Sequence, residues 1–398
     1  MREMKDSGIE WIGNVPSNWK LSKIKYMTTQ RECVGKYTPE KDKFIGLENV
    51  IGFADRYIET SFEYETSIYD VCHIGVILFG RLRPFLAMIL TVPFDGYCTG
   101  EFLVFDSFNG CKNYLKYVLL SKPFIDEVNL STYGAKMPRA NADFILNMYL
   151  PLPQKDEQEK IAGFLDSQCS EIDAISADIQ KEIETLEQYK RSVITEAVTK
   201  GLNPDVEMKD SGIEWVGNVP DHWGVLANKY VMKKRKDICT KWNGENVLSL
   251  TMNGVIVRDL DNPVGKMPTT FDGYQFVYSG NLLMCLFDYD VTPRCVGIVK
   301  NAGVTSPAYS RFELKENATL EYFYYYYLMI DFTKELLHLA KNLRHSFTEE
   351  QLGALKVPLP PLDEQKNIAT YLDSKCKEIE SVIASKKQQL EVLDSYKK

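Results

Sequence analysis

The sequence predicts an α+β protein arranged as a pseudo-two-fold tandem repeat, in which two globular units are joined by two long helices that form an antiparallel coiled coil. Three observations support this fold class. A sixteen-residue segment occurs twice, at Met4 and at Met208, with thirteen identical positions. A proline-rich segment that leads into a helical pattern also occurs twice, at Pro151 and at Pro358. The residues between these repeats differ in sequence but alternate between strand and helix patterns in both copies.

The order of the repeated segments divides the chain into four parts. The first globular unit is predicted for residues 1–150 and the first helix for residues 151–203. The second globular unit is predicted for residues 204–357 and the second helix for residues 358–398. Because solenoid repeats have periods of about 20–50 residues, this much longer period indicates a duplicated domain with its connector.

The two copies of the segment that begins "MKDSGIEW" are interpreted as structural anchors. Their glycines and proline favour turns, and their tryptophans favour packed contacts. The segment carries no pair of titratable side chains suited to catalysis. We therefore expect each copy to fasten a globular unit to the helical connector.

The residues between the repeats predict two α+β globular units. Strands are predicted for "HIGVILFGRLRPFLAMILTV" and "GEFLVFD" in the first unit, and for "GNLLMCLFDYDVTPRCVGIVK" and "AYSRFEL" in the second. Single helices are predicted for "KNYLKYVLLSKPFIDEVNL" and for "ATLEYFYYYYLMIDFTKELLHLAKNL". The tyrosine run in the second helix favours packing between helix and sheet, with stacking on bases as the alternative.

Each proline-rich segment precedes one long amphipathic helix. Asp156 is the predicted N-cap of the first helix, with Glu159 completing a capping box, and Asp363 is the predicted N-cap of the second. Apolar residues recur at helical spacing and form one stripe on each helix. The 45 residues from Asp156 to Lys200 would extend about 65 Å. The stripe must be buried, either against the other helix or against the helix's own globular unit.

Composition limits the classes of function. The net charge is −8, but residues 155–200 carry eleven acidic and six basic side chains, which leaves room for a basic face on the globular units. The nine cysteines include no Cys-x-x-Cys pair, and there are only four histidines, so buried free thiols are favoured over a metal site. Without a long apolar run or an apolar signal segment, the chain is predicted to be cytoplasmic.

Three catalytic arrangements find no support in the sequence. It contains no Asn/Asp-Pro-Pro-Tyr/Phe motif, with which an adenine methyltransferase holds the flipped base. It contains no G-x-x-x-x-G-K-[ST] loop for the phosphates of ATP, and four histidines offer no credible Ser-His-Asp arrangement. The sequence therefore predicts a protein whose partners supply the chemistry.

The chain resembles the specificity subunit of type I restriction–modification systems over essentially its full length. The resemblance rests on the doubled "GIEWIGNVP" and "PLP…DEQ" segments and on "ILFGRLRPF", "GAKMPRAN" and "CLFDYDVTPR". It implies that each globular unit is a target recognition domain for one half of a bipartite, asymmetric site in double-stranded DNA. It also implies that the coiled coil sets the gap between the halves.

The resemblance further implies a non-catalytic adaptor. Two adenine-N6 methyltransferase subunits would bind it, and motor–nuclease restriction subunits would join for cleavage. S-adenosylmethionine, ATP and magnesium would be held by those partners, with no cofactor on this chain. Two other functions stay open at this point, namely an enzyme that modifies DNA by itself and a coiled-coil scaffold without DNA contact.

Candidate DNA-binding residues are cationic side chains and one amide at strand ends and in loops. Arginine can donate two hydrogen bonds to guanine, amides can bond to adenine, and cations bind phosphates. In the first unit they are Arg81, Arg83, Lys136, Arg139 and Asn141. In the second unit they are Lys233, Lys234, Arg235, Lys236, Arg294, Lys300, Lys341 and Arg344. The run 233–236 is expected at phosphates, since lysine has no fork. For each single arginine, a solvated or salt-bridged surface position is the alternative.

Overall fold

The computed structural model divides the chain into two compact units. It describes residues 2–30, 33–134, 136–263, 265, 268–289, 292, 294–339 and 346–397. The first unit comprises Met1–Ile179 with Lys387–Lys398, and the second comprises Gln180–Lys386. Each unit therefore contains a globular part and a portion of both long helices. None of the described helices is long and apolar enough to cross a membrane.

The first unit is built on two four-stranded sheets. Its elements, with the long helix that continues into the second unit, are β1 Met4–Asp6, β2 Asn14–Pro16, β3 Lys20–Lys23, α1 Ile24–Met27, β4 Thr28–Gln30, β5 Val34–Lys36, β6 Phe44–Ile45, β7 Val50–Ile51, β8 Arg56–Tyr57, β9 Ile68–Cys72, β10 Ile77–Gly80, β11 Ile89–Thr91, β12 Gly96–Cys98, β13 Phe102–Phe108, α2 Lys112–Leu120, α3 Lys122–Leu130, α4 Ala142–Asn147, β14 Tyr149–Leu152 and α5 Lys155–Lys200. The strand orders are β11-β10-β13-β4 and β5-β9-β12-β6. On the central strand β10, Ile77 and Phe79 join the core beneath α2 and α3, whereas Leu78 joins the core on the opposite face. This alternation follows from the two-residue period of a strand.

The second unit repeats this plan with different residues. Its elements are β15 Met208–Asp210, β16 Asn218–Pro220, β17 Gly224–Ala227, β18 Met232–Arg235, β19 Val247–Thr251, β20 Gly254–Val257, β21 Gln275–Val277, β22 Leu282–Cys285, β23 Val296–Ile298, β24 Gly303–Thr305, β25 Tyr309–Leu314, α6 Leu320–Thr333, α7 Glu349–Ala354, β26 Lys356–Leu359 and α8 Leu362–Lys397. The strand orders of its two four-stranded sheets are β18-β25-β22-β23 and β20-β19-β24-β21. Tyr322, Tyr326 and Tyr327 of α6 are buried in the core of this unit, which confirms that the tyrosine run packs inside the fold.

Both helices predicted for the globular units are shorter than expected. The predicted helix over residues 112–130 is two helices, because Ser121 is extended and Pro123 has no N–H group to continue the helical bonds. The predicted helix over residues 318–343 ends at Thr333. There Lys334 takes a left-handed conformation with φ 52°, and its ammonium bonds to Asp331 at 2.7 Å. A 3₁₀ turn over Glu335–Leu339 follows.

The predicted N-caps of the long helices are wrong by one or more positions. Both helices begin before the aspartate, so Asp156 and Asp363 lie in the first turn and no capping box forms at Glu159. In α5 the backbone N–H groups of Glu157 and Gln158 donate instead to the carbonyl of Gln154. The first-turn carboxylates still favour the helix, because they face the positive end of its dipole.

The long helices run antiparallel within each unit, as predicted for a coiled coil. In the second unit, Lys190 pairs with Glu380 and Lys386 pairs with Glu182. In the first unit, Lys397 bonds to Asp173 at 2.6 Å. In each unit the stripe also contributes buried isoleucines. They are Ile179 in the first unit and Ile183, Ile194, Ile368, Ile379 and Ile383 in the second.

The stripe is buried in two ways, but only α8 packs on its own globular unit through Ile368 and Leu372, whereas the end of α5 packs on the globular part that follows it and not, as predicted, on its own. Ile183 and Ile379 lie on the portions of α5 and α8 that pair in the second unit. Ile194 and Val198, near the end of α5, belong instead to the core of the globular part of that unit. The first long helix is therefore buried partly by the other helix and partly by a globular core.

Candidate nucleic-acid interface

Two stretches that the sequence separates by more than fifty residues lie side by side in the first unit. Leu82, just after β10, forms an antiparallel bridge with Arg139. The N–H of Arg83 donates to the carbonyl of Pro138 at 2.7 Å, and the N–H of Ala140 donates to the carbonyl of Arg81 at 2.8 Å. The structure therefore brings Arg81, Arg83 and Arg139 into one backbone ladder.

Arg83 is held in an unusual conformation that exposes its side chain. Its φ is 50° and its ψ is 60°, a left-handed conformation that non-glycine residues rarely adopt. Pro84 follows it and begins a 3₁₀ turn, and Leu86 donates its N–H to the carbonyl of Arg83 at 2.9 Å. Among the residues that the structure describes, no carboxylate pairs with this exposed guanidinium. Backbone strain of this kind is concentrated at functional sites.

The other two arginines are held by the turn that precedes β13. The Arg139 guanidinium makes a two-pronged bond with Glu101, with Nε–Oε2 at 2.9 Å and Nη2–Oε1 at 2.5 Å. That hydrogen bond lowers the pKa of the Glu101 carboxyl below its ordinary value. Arg81 is half-buried, and its Nη2 donates to the carbonyl of Gly100 at 2.6 Å. The salt-bridged alternative thus describes the resting position of Arg139.

The loop after α3 and the 3₁₀ turn after Arg83 both expose aromatic or apolar side chains. Lys136 is exposed, and so are Tyr133 (60%), Met137 (48%) and Phe85 (50%). We name Arg83, Phe85, Tyr133, Lys136 and Met137 the basic–aromatic surface. Exposed cations beside flat side chains suit contact with phosphates and bases. Phe85 and Met137 were not predicted from the sequence, because an apolar residue beside proline is as typical of a core as of a surface.

Asn141 has a structural role that the prediction overlooked. Its Oδ1 accepts the N–H groups of Asp143 at 2.8 Å and Phe144 at 3.3 Å, which caps the N-terminus of α4. Asparagine directly before a short apolar helix is the usual sequence signal of an N-cap.

The basic run of the second unit lies on a sheet edge. β18 is the first strand of the order β18-β25-β22-β23, and Lys233 and Arg235 are exposed on it. Lys234 lies 3.4 Å from Glu349, and Arg235 Nε lies 2.7 Å from Glu313. Lys236 is exposed immediately after the strand. Charged edge strands also prevent unwanted strand pairing, so this run has a structural alternative.

The remaining candidates of the second unit are not gathered with that run. Lys300 is exposed after β23, which is the opposite edge of the same sheet and hence about 14 Å from β18. Arg294 is only 15% exposed, lies 3.9 Å from the buried carboxylate of Asp331 and places its guanidinium 5.9 Å from the ring of Phe332. Lys341 and Arg344 lie outside the described residues.

A duplicated glutamine fastens each long helix to its globular unit. Gln158 accepts the N–H of Cys111 at 2.9 Å and donates to the carbonyl of Pro153 at 2.9 Å. Gln365 accepts the N–H of Thr319 at 2.8 Å and donates to backbone carbonyls. Cys111 and Thr319 are the N-cap residues of α2 and α6. Both glutamines are buried, and the sequence signal that we missed is their identity in the two copies of "DEQ".

The duplicated "MKDSGIEW" segments fold as β-hairpins that pack on their globular units. β1 pairs with β2, and β15 pairs with β16, in the same register. Trp11 contacts Phe124 edge-to-face with ring centroids 5.5 Å apart, and Trp215 Nε1 lies 3.4 Å from the hydroxyl of Tyr326. Each hairpin also contacts its long helix, since Trp19 Nε1 donates to Glu157 of α5 at 3.2 Å and His222 Nε2 lies 2.8 Å from Glu364 of α8, as expected of structural anchors.

Comparison with known proteins identifies related sequences and a related fold. A family model described as the type I restriction modification DNA specificity domain matches residues 87–185 and 291–392. The specificity subunit of the type I restriction enzyme MjaVIII from Methanocaldococcus jannaschii is 28% identical over 72% of this chain and 67% of that protein. The specificity subunit of the Escherichia coli type I restriction enzyme EcoDI is 19% identical, and its alignment spans 49% of this chain and 46% of that protein.

The fold is shared with a solved protein. A chain from a structure that concerns complex assembly and conformational transition of the type I R-M system superposes with a TM-score of 0.69. The superposition has 15% identity and covers 96% of both chains. At this identity, the likeness shows the fold alone.

Proposed function

The chain belongs to the type I restriction–modification DNA specificity family, whose domain matches it twice, and we propose that each of its two globular units reads one half of a bipartite, asymmetric DNA sequence. Its role is sequence-specific DNA recognition within a restriction–modification complex, as the non-catalytic component. One observation supports separate recognition of the two half-sites: the same structural frame occurs twice, and the residues placed on it differ.

The duplicated frame consists of the hairpins, the buried glutamines and the long helices. The surfaces outside this frame differ between the units. The first unit presents the basic–aromatic surface, whereas the second presents a row of cations along the edge strand β18. Two unlike surfaces on one frame suit an asymmetric site whose two halves have different sequences.

Within the first unit, different side chains contact the bases and the phosphates. The guanidinium of Arg83 donates two hydrogen bonds to the acceptor atoms of guanine in the major groove. Lys136 contacts phosphate, because its ammonium is a point charge. Arg139 is available to DNA only when it leaves Glu101, so this bond restrains it until a matching sequence is present. In the second unit, Lys233 and Lys236 contact phosphates.

Partner proteins supply the chemistry in this proposal. Two adenine-N6 methyltransferase subunits bind the chain, and motor–nuclease subunits join them for cleavage. S-adenosylmethionine, ATP and magnesium are held by those subunits, with no cofactor on this chain. The antiparallel long helices set the gap between the two half-sites, and the complex works in the cytoplasm, where its DNA substrate is.

Footprinting of the assembled complex on its DNA tests this proposal. Two protected patches on either side of an unprotected gap are expected. A single patch, or none, would contradict the reading by two domains. Incubation of the purified chain with S-adenosylmethionine and DNA provides a second test, because methylation without a partner would contradict the non-catalytic role.

A further inference from the structure

An inner strand of each unit ends in the same way. Strand β10 lies between β11 and β13, and β22 lies between β23 and β25. The N–H of Gly80 donates to the carbonyl of Met88 at 2.8 Å, and the N–H of Cys285 donates to the carbonyl of Cys295 at 2.8 Å. Gly80 and Cys285 are the last residues of β10 and β22, so they occupy the same position in the two units.

A contact from a segment remote in sequence supports this alignment. The carbonyl of Arg81, the next residue, accepts the N–H of Ala140 at 2.8 Å. In the second unit the carbonyl of Leu286 accepts the N–H of Phe347 at 2.8 Å. Ala140 and Phe347 lie two residues before α4 and α7, respectively, so the same two parts of the fold meet in both units.

Two residues further along, the backbone takes a left-handed conformation in both units. Arg83 has φ 50°, and Asp288 has φ 45°. The carbonyl of Arg83 accepts the N–H of Leu86 at 2.9 Å, whereas that of Asp288 accepts the N–H of Thr292 at 2.9 Å and its hydroxyl at 2.7 Å. Because non-glycine residues rarely adopt this conformation, its occurrence at equivalent positions makes it part of the duplicated frame.

The turn that contains Asp288 is fixed to the core of the second unit. The ammonium of Lys334 donates to the carbonyl of Thr292 at 2.8 Å. The N–H of Cys295 donates to the buried carboxylate of Asp331 at 2.9 Å. These bonds order the backbone of the turn before DNA binds, which lowers the entropy cost of recognition.

The side chains at the two equivalent positions have opposite hydrogen-bonding chemistry. The guanidinium of Arg83 only donates, whereas an ionised aspartate such as Asp288, which is half-buried, only accepts. Aspartate in a left-handed conformation can bond to its own backbone. Among the residues that the structure describes, however, no hydrogen bond or ion pair involves the carboxylate of Asp288. The backbone conformation therefore leaves these acceptor oxygens without a described partner.

We propose that Asp288 determines specificity in the second unit by accepting a hydrogen bond from the exocyclic amino group of one base, an inference that rests on the proposed function. Phosphates repel a carboxylate, so contact with the DNA backbone is unfavourable. In the major groove, cytosine and adenine present an amino group, whereas guanine and thymine present only acceptors to hydrogen bonds. The carboxylate therefore selects cytosine or adenine at one position of the second half-site.

Selection of DNA with randomised half-sites by the assembled methyltransferase complex tests this assignment. The half-site of the second unit is the one that stays unchanged when residues 17–150 are exchanged for those of another family member. Asp288→Gly keeps the left-handed backbone and removes the carboxylate. We expect discrimination at one base pair of that half-site to fall at least about tenfold, or about 1.4 kcal/mol, with the other half-site unchanged.

Two results would overturn the proposal. One is an effect of Asp288→Gly on the half-site of the first unit. The other is an equal change in affinity for all sequences, because removal of a negative charge near DNA would by itself have that effect.

A second variant and a matched control use the same selection. Asp288→Asn supplies an amide, which bonds to adenine through two hydrogen bonds, so adenine should gain at least about threefold over cytosine at that position. Asp221→Asn makes the same change at an exposed residue directly after β16, and should leave every position within about twofold. Unchanged selection by Asp288→Asn, or an equal effect of the control, would overturn the proposal.

Base analogues distinguish cytosine from adenine as the recognised base. 2-Pyrimidinone in place of cytosine, or purine in place of adenine, lacks only the amino group. The analogue of the recognised base should weaken binding by the unsubstituted complex about tenfold, and by the Asp288→Gly complex less than about twofold. Equal losses with both complexes would overturn the assignment. An unsubstituted complex that selects no bipartite sequence would overturn the proposed function as well, whereas bipartite selection that is indifferent to Asp288 would overturn this assignment alone.

Discussion

Replacing Gln365 with alanine tests whether the duplicated glutamines hold the long helices to the globular units. Gln365 is fully buried. Its amide oxygen accepts from the backbone N–H and the hydroxyl of Thr319, and its amide nitrogen donates to the carbonyls of Asn317 and Pro360. Alanine removes all four hydrogen bonds and leaves buried backbone groups without partners.

The expected magnitude follows from these bonds. A typical hydrogen bond contributes a net 0.5–1.5 kcal/mol or so to stability, and an orphaned buried group costs more. We expect the free energy of unfolding of the second unit to fall by about 2–4 kcal/mol. Gln158→Ala removes only two bonds, to Cys111 and Pro153, and should cost the first unit about 1–2 kcal/mol.

Hydrogen exchange measured by mass spectrometry assigns each loss to a unit, which a single melting temperature cannot do for a chain with two units. Gln365→Ala should accelerate exchange in α6 and in the start of α8, with residues 1–150 unchanged. The control is Asn367→Ala, an exposed position on the same helix and in the same unit, with an expected effect within about 0.5 kcal/mol. A loss below about 0.5 kcal/mol for Gln365→Ala, or an equal loss in both units, would refute the reasoning.

Three further outcomes test the DNA interface and the helices. Arg83→Ala should weaken discrimination of one base pair in one half-site by about 1–3 kcal/mol, measured by competition binding, and loss in both half-sites would contradict it. Because the hydrogen bond from Arg139 lowers the pKa of the Glu101 carboxyl, the pair holds at neutral pH and is lost only as the pH falls through that lowered pKa. Glu101→Gln should therefore speed amide exchange near Arg139 already at pH 7. Unchanged exchange would contradict the proposal that Glu101 holds Arg139 in place. Deleting one heptad from each long helix should alter the gap between half-sites that the complex accepts in methylation assays. A changed half-site sequence would contradict the proposal that the long helices set only this gap.

The repeated frame could be predicted because identity between two copies of one chain is visible in the sequence. Exact helix boundaries could not, since aspartate is as acceptable in a first turn as at an N-cap, and Asp156 takes the first turn. Just beyond the end of α6, the Lys334 ammonium donates to the carbonyl of Thr292 at 2.8 Å, a contact remote in sequence that no local pattern indicates. The helix break at Ser121 could have been predicted from Pro123. The apolar residues at helical spacing on both sides of it favoured one continuous helix instead.

The candidate site also combines features that the sequence could predict with features that it could not. Arg83 and Arg139 were selected by residue type, but their proximity depends on a bridge between distant segments. Arg294 was selected in the same way, and the fold places it against Asp331 with 15% exposure. Residue chemistry in a loop indicates candidates, whereas burial and partners are decided by contacts that are remote in sequence. The roles of these cations in DNA binding stay predictions.

The most direct measurement is a map of N6-methyladenine after exchange of one variable block. Residues 17–150 would be replaced by the corresponding block of a family member with a known site, and the chimera expressed with the methyltransferase subunits proposed to bind it. We predict that one half of the methylated sequence changes to that of the donor, while the other half and the gap are retained. Methylation of the original sequence, or a change in both halves, would contradict the claim that each unit reads its own half-site.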